Sequence, residues 1–208
     1  VQTCALPISK NIKRPLDWRT SRVANALDPG NWVERPMAEA LAAALGPNFG
    51  AGLVIAGDRW FLDLDHATDG AGAWLPEVAD MCARFPGAYM EVSNSGTGLH
   101  ILGRGLAPPH GIVSPVLRRA GLPFKAEFFT ERRFCAITGT AAEGDLETRF
   151  DAARMRAFAA EFFPPGVAAA PEDGDWSESP VPEWRGPEDD DALIAAACRS
   201  VSPNALFG

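Results

Sequence analysis

The chain has 208 residues, 47% hydrophobic and 22% charged, with a net charge of −8. That is enough apolar sequence for the core of a medium-sized globular domain. No apolar run approaches the ~20 residues of a membrane span and no basic-then-apolar leader opens the chain, so a cytoplasmic protein without a membrane partner is expected. Cys4, Cys82, Cys135 and Cys198 are scattered, with no C-x-x-C pair and no histidine at zinc-ligand spacing; this argues against a disulfide framework or structural zinc and for buried apolar thiols.

Residues 1–9 have no periodicity, fit nothing downstream and are unassigned, as non-native sequence would be. Residues 10–32 hold Pro, Asn and Asp among isolated apolar residues, the pattern of a loop-rich segment. Residues 36–45 (PMAEALAAAL) predict a helix, with Pro at its start and Gly46 at its end. Residues 51–55 and 60–64 are short apolar runs separated by Ala-Gly-Asp-Arg, which predicts a β-hairpin. An amphipathic helix is expected over 74–85, stopped by Pro86-Gly87. Strands are expected at 89–92 and 99–102 around a glycine-rich turn, then a further pair at 124–129 and 134–137. A last helix is expected over 146–162. From 167 to 187 the composition turns to Ala, Pro, Glu, Asp and Ser, an acidic, disordered linker. Residues 188–208 read as the start of a C-terminal helical module, with acids in its first turn as the helix dipole favours. From Pro171 onward nine acids face two arginines, so that stretch carries −7 and the preceding residues only −1. The acidity is therefore no argument against a nucleic-acid substrate, and the body lacks the basic excess of a tight duplex binder.

Three segments carry chemistry. Residues 61–66 read Phe-Leu-Asp-Leu-Asp-His. On a strand, Asp63 and Asp65 share a face while Leu62 and Leu64 turn to the core. Two close carboxylates repel unless a cation neutralises them, and all-oxygen ligands suit Mg²⁺ or Mn²⁺; a pair of solvated acids on an exposed face would have the same spacing. Residues 93–100 (SNSGTGLH) place Gly96 and Gly98 where backbone N–H groups can turn toward an anion, with Ser95 and Thr97 hydroxyls beside them and His100 just beyond. An ordinary hairpin turn has the same composition, and a Walker loop is excluded because no lysine and no following helix are present. Glu127 lies between apolar neighbours in FKAEFF, where an acid needs a partner: a metal, or Lys125 two residues back on the same face. Arg133 offers a planar donor fork that suits phosphate, or an ion pair with Glu131.

Together the three segments resemble the motifs of the archaeo-eukaryotic primase superfamily, most closely the primase-polymerases of phages, plasmids and related mobile elements. Those motifs are an acidic pair on a strand, a Ser-Gly-x-Gly-x-His turn, and a strand acid followed by Arg and Thr-Gly. Here they correspond to Asp63 and Asp65, to Ser95-Gly-Thr-Gly-Leu-His100, and to Glu127 with Arg133 and Thr138-Gly139. Lys13-Arg-Pro15, Arg19-Thr20, Asp28-Pro-Gly-Asn-Trp32, a helix and then Gly52-Leu-Val-Ile add to the likeness, whereas residues 1–9 do not supply the first strand that it calls for.

The resemblance implies an α+β fold: an RRM-like primase-polymerase catalytic core with an accessory N-terminal α/β unit, spanning 10–166. It implies catalytic and metal-holding roles for Asp63, Asp65 and Glu127 with Mg²⁺ or Mn²⁺, and triphosphate binding by Ser95, Gly96, Gly98, His100 and Arg133. Glu91, on the face of Ser93, is placed to orient the turn. Expected partners are nucleoside triphosphates, a single-stranded DNA template (with Lys13, Arg14 and Arg104 as contacts) and a C-terminal helicase module of the same protein. Two other readings use the same residues: a metal-dependent nuclease or phosphohydrolase, and a non-catalytic single-stranded-DNA-binding module of a replication initiator.

Overall fold

The computed structural model describes residues 5–9, 14–108 and 111–164. In chain order these form β1 (Ala5–Ser9), α1 (Arg35–Leu45), β2 (Phe49–Ile55), β3 (Arg59–Asp65), α2 (Pro76–Ala83), β4 (Tyr89–Val92), β5 (Leu99–Arg104), β6 (Gly111–Val113), α3 (Pro115–Arg119), β7 (Lys125–Phe129), β8 (Arg133–Ala136) and α4 (Ala152–Phe162). The linker expected at 167–187, the module expected from 188 and Lys13 lie outside the described residues.

The architecture is α+β, as the sequence led one to expect, and its strands form two antiparallel sheets. One sheet has the order β4-β5-β3-β7-β6 and the other β1-β2-β8. Every pairing between these strands is antiparallel. Strand β3 sits at the centre of the larger sheet because both its faces are wanted inside: Trp60, Leu62 and Leu64 are buried on one face, Phe61 on the other. The first set packs against Val78 and Met81 of α2, Leu117 of α3 and Met155 and Phe158 of α4. Aromatic edges interlock there, with Trp60 and Phe85 centroids 4.5 Å apart and Phe128 and Phe158 5.3 Å apart. Each such side chain contributes ~1.5–3 kcal/mol by leaving water. On the opposite face Phe61, Tyr89, Leu102 and Phe129 pack against Leu53 and Ile55 of β2 and Cys135 of β8. The larger sheet is thus covered by helices on one side and partly by the smaller sheet on the other.

Four expectations need correction. Residues 51–55 and 60–64 do not make a hairpin. β3 is paired on both edges, by β5 and β7, and β2 on both edges by β1 and β8, so neither has an edge left for the other. The intervening turn, with Gly57 at φ +68, carries the chain from one sheet to the other. Likewise β7 and β8 are not partners: β7 pairs with β3 and β6, and β8 crosses to β2. The last helix begins at Ala152, where the Asp151 side chain accepts from Arg154 N, and not at 146. Leu146 and Glu147 form a turn instead, closed by Thr148 N donating to Asp145 O, and residues 148–150 run beside β5, with Arg104 N donating to Thr148 O and Phe150 N to Arg104 O. Finally, Ala5–Ser9, unassigned from sequence, is a strand in register with β2, from Ala5 opposite Leu53 to Ser9 opposite Phe49.

Candidate active site

The alternation of β3 sends Asp63 and Asp65 to the face that the smaller sheet only partly covers. Strand register then assembles a row across four neighbouring strands. Glu91 of β4 lies opposite His100 of β5, His100 opposite Asp63 of β3, and Asp63 opposite Glu127 of β7. Residues one row over (Tyr89, Leu102, Phe61 and Phe129) are apolar and form the floor against β2 and β8. A polar row beside an apolar one on the same face gives charged groups a wall of low dielectric.

Carboxylate oxygens of Asp63, Asp65 and Glu127 lie within 4.8 Å of one another, all on partly buried side chains. Three hard oxygen ligands so close, drawn from two strands, fit a divalent cation of the Mg²⁺ or Mn²⁺ type. Lys125, in register with Asp65, brings its Nζ to 3.5 Å from Glu127 Oε1. Of the two partners that the sequence offered Glu127, a metal or Lys125, Lys125 is in place, and the acids that could hold a metal stand beside it.

His100 is buried, 4% exposed, with its ring edge-on to Phe61 at 5.2 Å. Its Nδ1 is 2.8 Å from Glu91 Oε1, and its Nε2 is 3.8 Å from Asp63 Oδ1. Glu91 also accepts from Tyr89 Oη (2.8 Å), Thr138 N (2.9 Å) and Gly139 N (2.8 Å). Burial opposes its ionisation, but the bonds from His100, Thr138, Gly139 and Tyr89 outweigh that and hold its carboxyl below the usual glutamate range. The Tyr89 hydroxyl is pushed up, by burial first and then by its bond to this carboxylate. Glu91 was read from sequence as an orienter of the glycine turn; here its bonds go to Tyr89, to His100 just past that turn, and to Thr138 and Gly139. Its signal was the one used for Glu127, an acid between apolar neighbours in a strand.

Arg133 enters from β8, opposite Ile55, and lays its guanidinium over the Phe129 ring at 4.3 Å. It lines, with Asp63, His100 and Phe61, a cavity of about 190 Å³ between the sheets. The glycine turn joins β4 to β5. Gly96 adopts φ +79 and donates its N–H to Ser93 O, closing the turn on itself. Ser95 Oγ sits 2.9 Å from Ser93 Oγ and 3.2 Å from Thr97 Oγ1, and Ser95 and Thr97 are exposed. Ser95 and Thr97 thus stand at the surface while Ser93 is buried, and the Gly96 N–H is already committed. Thr97 O accepts from Ala67 N at 2.7 Å, which ties the turn to the end of β3 and so to Asp65.

Other sequence candidates lie elsewhere. His66 is exposed at φ +56 and ends β3. Arg104 is engaged with Asp58 and Glu147, which ties residue 147 to the end of β5. Among the described residues no helix is long and apolar enough to cross a membrane. No protein-family model and no curated protein matches this sequence.

Proposed function

We propose that this chain carries the catalytic domain of a DNA primase-polymerase, which adds nucleotides to a strand on a single-stranded DNA template. One observation carries the reading. The acid cluster of Asp63, Asp65 and Glu127 shares Asp63 with the cavity that His100 and Arg133 line, so a cation site and two phosphate-binding side chains meet at one place. The five antiparallel strands backed by helices suit an RRM-like core, and β1, α1 and β2 suit its N-terminal unit.

Asp63, Asp65 and Glu127 would hold Mg²⁺ or Mn²⁺, which when bound lowers the pKa of an attacking hydroxyl and offsets charge on a departing pyrophosphate. Arg133 offers its fork to phosphate oxygens, and its stacking on Phe129 restricts where that fork can point. His100 faces the same cavity, while the exposed Ser95 and Thr97 hydroxyls can donate to phosphate at the turn. Held so, the triphosphate exposes its α-phosphorus: the 3′-hydroxyl gives up its proton to water, its oxygen bonds to that phosphorus, the bond to the bridging oxygen breaks, and pyrophosphate departs with that electron pair. A helicase module of the same protein is part of this proposal.

The test is incorporation of labelled nucleotides on single-stranded DNA with Mg²⁺ or Mn²⁺, with and without a primer, for wild type and Asp63→Ala. Metal-dependent product that the variant lacks is expected, and the unprimed reaction reports on priming. DNA breakdown without incorporation would move the assignment to a nuclease. DNA binding that needs no metal and survives Asp63→Ala, without any product, would move it to a binding module.

A further inference from the structure

A fully buried carboxylate is costly unless its oxygens are saturated with donors. Glu91, 0% exposed, meets that demand with Tyr89 Oη, Thr138 N, Gly139 N and His100 Nδ1. The division between its two oxygens matters. Oε2 takes Tyr89 Oη, Gly139 N and the shorter bond from Thr138 N, whereas Oε1 takes His100 Nδ1 at 2.8 Å and a longer bond from Thr138 N at 3.0 Å. A carboxylate oxygen is acceptor-only, so the His100 nitrogen facing it must carry a hydrogen. Which ring nitrogen of a histidine is protonated is set by the bond the other makes.

We infer that Glu91 is a positioning residue for the triphosphate site: it fixes the proton of His100 on Nδ1 and so presents Nε2, not Nδ1, to the cavity shared with Asp63 and Arg133. The same carboxylate grips Thr138 and Gly139, just after β8. It thereby ties the strand that carries Arg133 to the one that carries His100, and the two phosphate-facing groups keep their spacing before substrate arrives. A preset geometry lowers the cost of ordering a flexible triphosphate. The role assigned to Nε2 rests on the nucleotidyl-transfer reading above.

Glu91→Gln tests it, because an amide has one acceptor where the carboxylate has two. The donors gathered at Oε2 claim the amide oxygen, which turns the NH₂ toward His100 Nδ1. That nitrogen must then become the acceptor, and the ring proton moves to Nε2. Two-bond ¹H–¹⁵N spectra of the full chain, with His100 assigned by its loss in His100→Ala, are expected to show Nδ1 protonated in wild type and the inverted tautomer in Glu91→Gln. The KM for dATP on an oligo(dT) template should rise about tenfold or more, as for other groups that fix a functional histidine, with a smaller change in kcat. In the His100→Ala background Glu91→Gln should add less than about twofold, since it acts through that ring. An unprotonated Nδ1 in wild type overturns the inference, even if the variant fails to fold; so does an unchanged KM, or a loss fully additive with His100→Ala. Wild-type protein that shows the fixed tautomer and incorporates nothing instead sinks the primase-polymerase reading, and with it the substrate named here.

Discussion

Asp63, Asp65 and Glu127 place three like charges within 4.8 Å, and the Lys125 ammonium, 3.5 Å from Glu127, offsets only part of the repulsion. Like charges on adjacent strand positions cost roughly 0.2–1 kcal/mol, so the cluster is a local destabilisation that a cation would relieve. Asp65→Asn separates the two consequences by sign. In chelator-treated protein it should raise Tm by about 1–3 °C, since 1 kcal/mol moves a domain of this size by ~2–4 °C. With Mn²⁺ the order should reverse: wild type gains Tm with metal concentration by mass action, and Asp65→Asn gains little. Calorimetric scans with and without Mn²⁺ check both signs. A variant that melts like wild type in both conditions would mean the three acids are independently solvated.

The β4–β5 turn shows how two glycines in one motif do different work. Gly96 needs its positive φ of +79, with open space around a would-be Cβ. Gly98 needs no special φ; a Cβ there would stand 2.6 Å from Ser93 Oγ and 2.7 Å from Leu64 O. Gly96→Ala should therefore cost about 1–2 kcal/mol of backbone strain. Gly98→Ala should cost about 1–3 kcal/mol by forcing the turn off β3, and should also weaken Mn²⁺ binding because Leu64 adjoins Asp65. Denaturant melts with Mn²⁺ titrations check the pair; equal metal affinity in the two variants would show that the turn and the acids are uncoupled. The turn, the acidic pair and Glu127 were legible in the sequence because strand alternation and turn chemistry act over a few residues. Strand partners were not. The hairpin read at 51–64 took chain neighbours for sheet neighbours, although the apolar residues on both faces of β3 already marked a central strand. Leu146 and Phe150, four apart, imitate a helix face; Asp151 was the better start signal, and it is where α4 begins.

Across the molecule, buried or bonded carboxylates link the larger sheet and the turn before β3 to residues between 138 and 149, and they set a common response to acid. Asp58 is held low by its bonds to Arg104 and then Arg149, against the opposing effect of burial. Glu147 is disfavoured as an anion by burial, but its bonds to Arg59 and Arg104 more than compensate and lower it as well. Glu91 behaves likewise in the site. In all three the folded value lies below the ordinary one, 3.8 for Asp58 and 4.5 for Glu91 and Glu147. The unfolded chain therefore binds more protons across that window, and stability must rise with pH through it. The contribution is fully present above the ordinary values and is lost as pH falls through the depressed ones. Tm should then be level from about pH 7 down to about pH 5 and fall steeply below about pH 4.5. Glu91→Gln removes one of the titrating groups and should flatten the acid limb, while Asp58→Asn should do so over a lower pH range. Thermal melts from pH 3 to 7 on the three proteins decide it. If Glu91→Gln keeps the wild-type slope, Glu91 takes up its proton in the folded state as readily as in the unfolded one, and its bonds to His100, Thr138, Gly139 and Tyr89 do no more than offset the cost of burial.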